Sequence, residues 1–189
     1  IYTSSPERMK TWDVIIIGGG AAGFFTAINY KQLNPNKAVL ILEKDKDVLK
    51  KVKISGGGRC NVTHACFEPK ELAKFYPRGS KELLGPFHQF CTSDMMGWLE
   101  DHGVPTKIEE DNRVFPKSNS SQSIIDCFMD EIKRLEIKVN LRTRLDRVVK
   151  EDNWKLYCGE EIYTTKNMNK NDIVTKLGDS IKSVFRDIF

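Results

Sequence analysis

The sequence predicts an α/β fold with a mostly parallel sheet, helices on both faces and a small antiparallel β-meander. Three observations predict it. Residues 14–17 and 38–42 are short, almost unbroken apolar runs of the kind that form parallel strands covered on both faces. A helix-forming stretch, residues 22–33, lies between them and completes a strand–helix–strand unit. Residues 145–149, 154–157 and 162–164 alternate or carry β-formers close together, as a meander requires.

The chain opens on a polar segment, residues 1–11, expected to be a loose lead-in. The first strand runs directly into Gly18-Gly19-Gly20-Ala21-Ala22-Gly23, a GxGxxG arrangement. Gly18 permits the tight turn out of the strand. Gly20 lets backbone approach a pyrophosphate without a Cβ between them, and Gly23 lets helix and sheet pack closely. Ala21 and Ala22 open the helix, whose first N–H groups and partial positive charge face any phosphate bound there. Ala27 keeps the next turn small. Asn34 precedes Pro35, is pushed away from helical angles, and ends the helix. The second strand ends at Glu43, about 20 residues after Gly23, where an acid accepts hydrogen bonds from a ribose 2′-OH and disfavours a 2′-phosphate. A lone GxGxxG is weak evidence, and an ordinary glycine-rich turn is the bland reading. Strand, glycines, helix, second strand and acid in this order make the dinucleotide-binding reading the stronger one.

Lys44, Lys46, Lys50, Lys51 and Lys53 follow as the densest basic stretch, read first as a solvated face and second as a cofactor-phosphate neighbourhood. Residues 54–63, Ile-Ser-Gly-Gly-Gly-Arg-Cys-Asn-Val-Thr, form a second glycine-rich loop with donors at its end, suited to wrap a phosphate or a ring system. Helices are expected at 68–75 and 80–90, with breaks near Pro77 and Pro86. Another is expected at 94–102, capped by Thr92 or Ser93 and ended by Gly103. Residues 106–108 and 113–115 are strand candidates around the acidic turn 109–112, with Pro116 stopping the second. In residues 123–135, Ile124, Ile125, Phe128, Met129, Ile132 and Leu135 form an apolar helical stripe that reads as core. Residues 137–141 read as a strand.

With 189 residues, 40% of them hydrophobic, the chain can build one domain or one and a part. Its net charge of +4 is dispersed among acids, so neither nucleic acid nor a membrane surface is the expected partner. Five irregularly spaced cysteines without a CxxC suit a reduced, cytoplasmic protein. The longest apolar run is too short and too glycine-rich to span a bilayer. Cys60, His64 and Cys66 match no common zinc spacing, so no metal is expected. The three histidines lack the serine elbow or paired acid of a hydrolase. Cys60 is read as buried or cofactor-adjacent before it is read as a reactive thiol. The chain begins with Ile1, which suits a fragment or processed product.

Four segments together carry a resemblance: IIIGGGAAG at 15–23, Leu42-Glu43-Lys44, ISGGGRCNVT at 54–63, and NRVFPKSN at 112–119. Over residues 12–165 the chain resembles the BaiN-like (YhiN or HI0933-like) family of FAD-dependent, NAD(P)-linked oxidoreductases. The resemblance implies a Rossmann-like FAD-binding domain, with NADH or NADPH as reductant. It implies pyrophosphate over Gly18, Gly20, Ala21, Ala22 and Gly23, adenosine ribose at Glu43, and Lys44 near the adenine. It also implies that Gly58, Arg59, Cys60 and Asn61 approach the flavin and that the backbone of Val148 meets the adenine. Catalytic residues are not assigned, and the substrate is an unidentified small molecule.

Family members are about twice this length, as a two-domain enzyme requires. After Thr165 the family continues into a strand and an Ala-Thr-Gly motif, where this chain runs Lys166-Asn167-Met168-Asn169. Residues 166–189 are therefore an atypical tail, although Lys176-Leu177-Gly178-Asp179-Ser180-Ile181 is similar to a later family segment. The expected function is the FAD-binding portion of a flavin oxidoreductase that transfers hydride between NAD(P)H and a small substrate. The rival is a truncated, non-catalytic nucleotide-binding remnant. A pyridine-nucleotide domain without flavin is disfavoured by the second glycine loop.

Overall fold

The computed structural model describes residues 9–76 and 78–165. Expectations for residues 1–8, Pro77 and the tail 166–189 lie outside them. The stretch expected as one domain, 12–165, comprises two compact units: residues 9–48 with 131–165, and residues 49–130.

The first unit contains the expected parallel sheet. Strands β2 (Val14–Ile17), β3 (Val39–Leu42) and β7 (Lys138–Asn140) pair in parallel in the order β2-β3-β7. All four residues of β3 are buried, which explains its unbroken apolar sequence. Helix α1 (Ala21–Leu33) crosses from β2 to β3 and buries Phe24, Phe25, Thr26, Ala27 and Ile28. Asn34 ends it as expected, its side chain and its main-chain N–H both donating to the Tyr30 carbonyl.

The meander is also present. Strands β8 (Arg147–Lys150), β9 (Trp154–Cys158) and β10 (Glu161–Thr165) are antiparallel neighbours. A fourth strand, β1 (Lys10–Trp12), pairs in parallel with β10, so the expected loose lead-in already enters the sheet at Lys10. Leu40 and Leu42 of β3 pack with Leu156, Cys158 and Tyr163, supported by Trp12, Ile15, Leu145 and Trp154. The two sheets of this unit thus share a core. At its centre the fully buried Tyr163 hydroxyl donates to Glu161 and accepts from Asn140 Nδ2 at 3.0 Å. Lys10 Nζ meets the other Glu161 oxygen at 2.8 Å.

The second unit begins with α2 (Lys50–Ile54), a short helix unforeseen from the sequence, which leads into a tight 3₁₀-like turn, Ser55–Gly58. Strands β4 (Thr63–His64), β6 (Arg113–Pro116) and β5 (Thr106–Ile108) form an antiparallel sheet in that order. The expected acidic turn joins β5 to β6, and β6 includes Pro116 as its last residue. Helices α3 (Pro69–Lys74) and α4 (Ser80–Gln89) pack through Leu72, Ala73, Tyr76, Leu83 and Phe87. Pro86 does not break α4, since it forfeits one main-chain bond and its own carbonyl still accepts from Phe90. Helix α5 (Thr92–Asp101) is capped by neither Thr92 nor Ser93. Cys91 is the cap, and its N–H donates to the Asp94 carboxylate at 2.7 Å. Helix α6 (Ser121–Arg134), which begins in this unit, carries part of the expected core stripe: Ile124, Phe128 and Ile132 are buried, whereas Met129 is exposed.

Candidate cofactor-binding loops

The first glycine loop is built by main-chain pairing at the ends of the parallel strands. Gly18 N–H donates to the Leu42 carbonyl at 2.8 Å, and Glu43 N–H donates to Asn140 at 2.8 Å, so loop and acid lie side by side. Three of the four glycines are used differently. A Cβ at Gly23 would lie 2.0 Å from the Gly18 carbonyl oxygen, so this glycine is needed for the fold itself. A Cβ at Gly19 would lie 2.7 Å from Val48 Cγ1 and 3.2 Å from the Glu43 carboxylate, a constraint the fingerprint does not contain. A Cβ at Gly20 would meet nothing within 4 Å, and Gly20 has ordinary extended angles. The fold therefore has no steric need for glycine at 20, whereas a ligand lying against the backbone there would have one.

Gly20 is also the N-cap of α1. It supplies no side-chain cap, and the first turn carries no acid to neutralise the helix's positive end. A phosphate group fits such an opening. Glu43 is half-buried beside it and is already engaged: Oε2 accepts from Gly19 N–H at 2.6 Å and Oε1 from Asp45 N–H at 2.9 Å. The expected ribose acceptor thus also clamps the loop, using two main-chain donors that no spacing rule reveals. Lys44 is exposed next to it. Val148 is an exposed residue of β8, the outer strand of the four-stranded sheet, one edge of which has no partner strand among the described residues.

The second glycine loop has its own geometry. Gly56, Gly57 and Gly58 adopt left-handed angles (φ +55°, +68° and +86°), and Cys60 follows at +62°. A Cβ at Gly56 would lie 2.8 Å from both Asn61 N and Phe115 Cε1. Cys60 N–H donates to the Ser55 carbonyl at 3.0 Å and Val62 N–H to Val114 at 2.8 Å. Cys60 is fully buried, and burial pushes its thiol up to about 11, with the neighbouring Ser55 hydroxyl offsetting part of the rise. It is therefore a protonated, inaccessible thiol and not a nucleophile.

Arg59 is half-exposed and held. Its Nη1 donates to Glu109 Oε1 at 2.6 Å, and its guanidinium lies 4.0 Å from the Phe115 ring centroid. Lys107 Nζ is 3.6 Å from the same Glu109 oxygen. Hydrogen bonding to Arg59 holds the Glu109 carboxyl below its usual range. Glu109 and Phe115 escaped the sequence reading as functional residues, because each lies about 50 residues from the loop it touches. Among the described residues no group of three or more His, Cys, Asp and Glu could hold a metal ion. No described helix is long and apolar enough to cross a membrane.

The family described as the HI0933-like protein Rossmann domain matches residues 12–183. Among curated proteins, the chain is 31% identical over 144 residues to a ribosomal RNA dihydrouridine synthase of Escherichia coli, covering 76% of this chain and 34% of that one. It is 27% identical over 131 residues to a 3-dehydro-bile acid delta(4,6)-reductase of Clostridium scindens, covering 69% and 31%. The chain thus spans about a third of the length of these relatives. Among solved structures, it superposes on a quinol-fumarate reductase with a TM-score of 0.62 at 16% identity, covering 84% of this chain and 32% of that one. A flavocytochrome c3 fumarate reductase gives 0.61 at 21% identity, covering 84% and 33%. These likenesses establish the Rossmann-like fold that the parallel sheet and its glycine turn describe. With nearly the whole described chain matched, the protein belongs to the HI0933-like Rossmann-domain family.

Proposed function

We propose that this chain is the FAD-binding part of a flavin-dependent oxidoreductase. The single observation that carries the reading is Gly20: an open position at an uncapped helix start, beside a carboxylate anchored at the end of the next strand. The pyrophosphate would lie along Gly18, Gly20, Ala21, Ala22 and Gly23, with Glu43 at the ribose, Lys44 toward the adenine, and Val148 offering backbone. In the second unit Gly58, Arg59 and Asn61 would serve the flavin, and Cys60 would contribute main chain only. When bound, FAD would supply hydride transfer through its ring system. The protein's part is to bind, orient and exclude water.

The reductant in this reading is NADH or NADPH and the acceptor a small unsaturated molecule, with neither nucleic acid nor membrane as partner. The name of the C. scindens relative, a reductase of a 3-dehydro-bile acid, supports this. A second reading is favoured by the E. coli relative, whose name specifies ribosomal RNA as substrate. Salt-dependent binding of an RNA oligonucleotide by the purified chain would select that second reading.

The test is a visible absorption spectrum of the purified chain, with released cofactor identified by chromatography. Stoichiometric FAD is the expected result, and a folded, colourless chain that takes up no added FAD would refute the reading. Bleaching of bound flavin by NADH or NADPH then separates a competent oxidoreductase portion from a binding remnant.

A further inference from the structure

We propose that the β5–β6 hairpin presets the second glycine loop for its ligand, with Glu109 as a positioning residue acting through Arg59. The inference rests on the reading of Arg59 as a flavin-side residue and deepens it.

The hairpin touches the loop at three places. Val114 accepts from Val62 N–H at 2.8 Å and fixes where the loop ends. The Phe115 ring closes the space beside Gly56, where an added Cβ would lie 2.8 Å from Cε1. Its face also carries the Arg59 guanidinium at 4.0 Å. Glu109 then fixes the rotation of that guanidinium through the 2.6 Å contact to Nη1. A planar cation stacked on a ring and hydrogen-bonded at one edge has a defined plane and direction. One N–H of the fork is engaged by Glu109, which leaves further donors for a ligand. A free arginine side chain would lose its rotamer freedom on binding, whereas this one has lost it on folding. As an isolated ion pair Arg59–Glu109 would add little to stability, because both side chains are partly solvated. Its effect falls instead on the geometry of Arg59.

The experiment is a double-mutant cycle on the full chain, read as the FAD dissociation constant from flavin fluorescence, with a thermal melt of each variant. Arg59→Ala is expected to weaken FAD by roughly tenfold, as loss of a charge-assisted donor does. Glu109→Gln is expected to weaken it by about three- to tenfold, the cost of ordering one long side chain on binding. In the Arg59→Ala background, Glu109→Gln should then cause no further loss. Lys107→Gln, which touches the same carboxylate but not the loop, should leave FAD affinity unchanged. An equal loss from Glu109→Gln with and without Arg59 would overturn the inference, as would no loss in either background. If Arg59→Ala binds FAD like the unaltered chain, the flavin-side reading of Arg59 fails, and the inference falls with it. If Arg59→Ala weakens binding and Glu109→Gln does not, the reading stands and the inference alone fails.

Discussion

Three glycines separated by one and two residues do different physical work, and substitutions should separate them. Gly20→Val puts its side chain into open space and keeps the fold, so its melting temperature should be near that of the unaltered chain while FAD binding is lost. Gly23→Ala drives a methyl group into the Gly18 carbonyl and should cost roughly 1–3 kcal/mol or more in a denaturant titration. A Gly20→Val variant that is folded and fully loaded with FAD would refute the phosphate-cradle assignment. Cys60 gives a second residue-scale expectation. Its folded pKa is raised, so its contribution to stability is whole below its ordinary value of 9.0 and is lost as pH rises toward about 11. The buried Tyr163 hydroxyl, pushed up to about 12, acts in the same direction. Unfolding midpoints should therefore fall above pH 9, and less steeply in Cys60→Ala. Iodoacetamide mapped by mass spectrometry should label the half-buried Cys66 and Cys91 well before Cys60.

At the scale of elements, the helix start at Thr92 shows which signals a sequence exposes and which it hides. Ser and Thr are the expected caps, yet Cys91, with extended angles, takes the cap and Thr92 is already helical, because Asp94 is placed to receive the Cys91 N–H. Asp94→Ala should lower stability by about 1 kcal/mol, measurable by chemical denaturation. The strand–helix–strand unit was legible because its determinants are local: apolar runs, glycine spacing and a proline-terminated helix. The meander and the hairpin around residues 109–112 were legible for the same reason. Strand β1 was not, since Lys10, Thr11 and Trp12 carry no strand pattern and acquire one only by pairing with Tyr163, Thr164 and Thr165. The candidate site divides the same way. Gly18, Gly20, Gly23 and Glu43 could be read from spacing, whereas the contacts of Glu109 and Phe115 with the second loop depend on tertiary pairing.

At the scale of the molecule, a cofactor bound only by the folded chain must raise its stability by mass action. FAD at about 100 times its dissociation constant should add about 2.7 kcal/mol, seen as a rise in melting temperature that AMP alone reproduces only in part. No rise with FAD would count against the proposed function. The pairing of β1 with β10 has a consequence for how the protein is made. Residues 10–12 find their partner only at 163–165, so the first unit is assembled from two segments, 9–48 and 131–165, that lie on either side of residues 49–130 in the sequence. During synthesis the glycine turn and its helix emerge well before the meander; their own sheet closes at β7, whereas the sheet that holds β1 stays unfinished until β10 has emerged. Contacts this distant in sequence form slowly, and through that interval Leu40 and Leu42 lack the cover of Leu156, Cys158 and Tyr163.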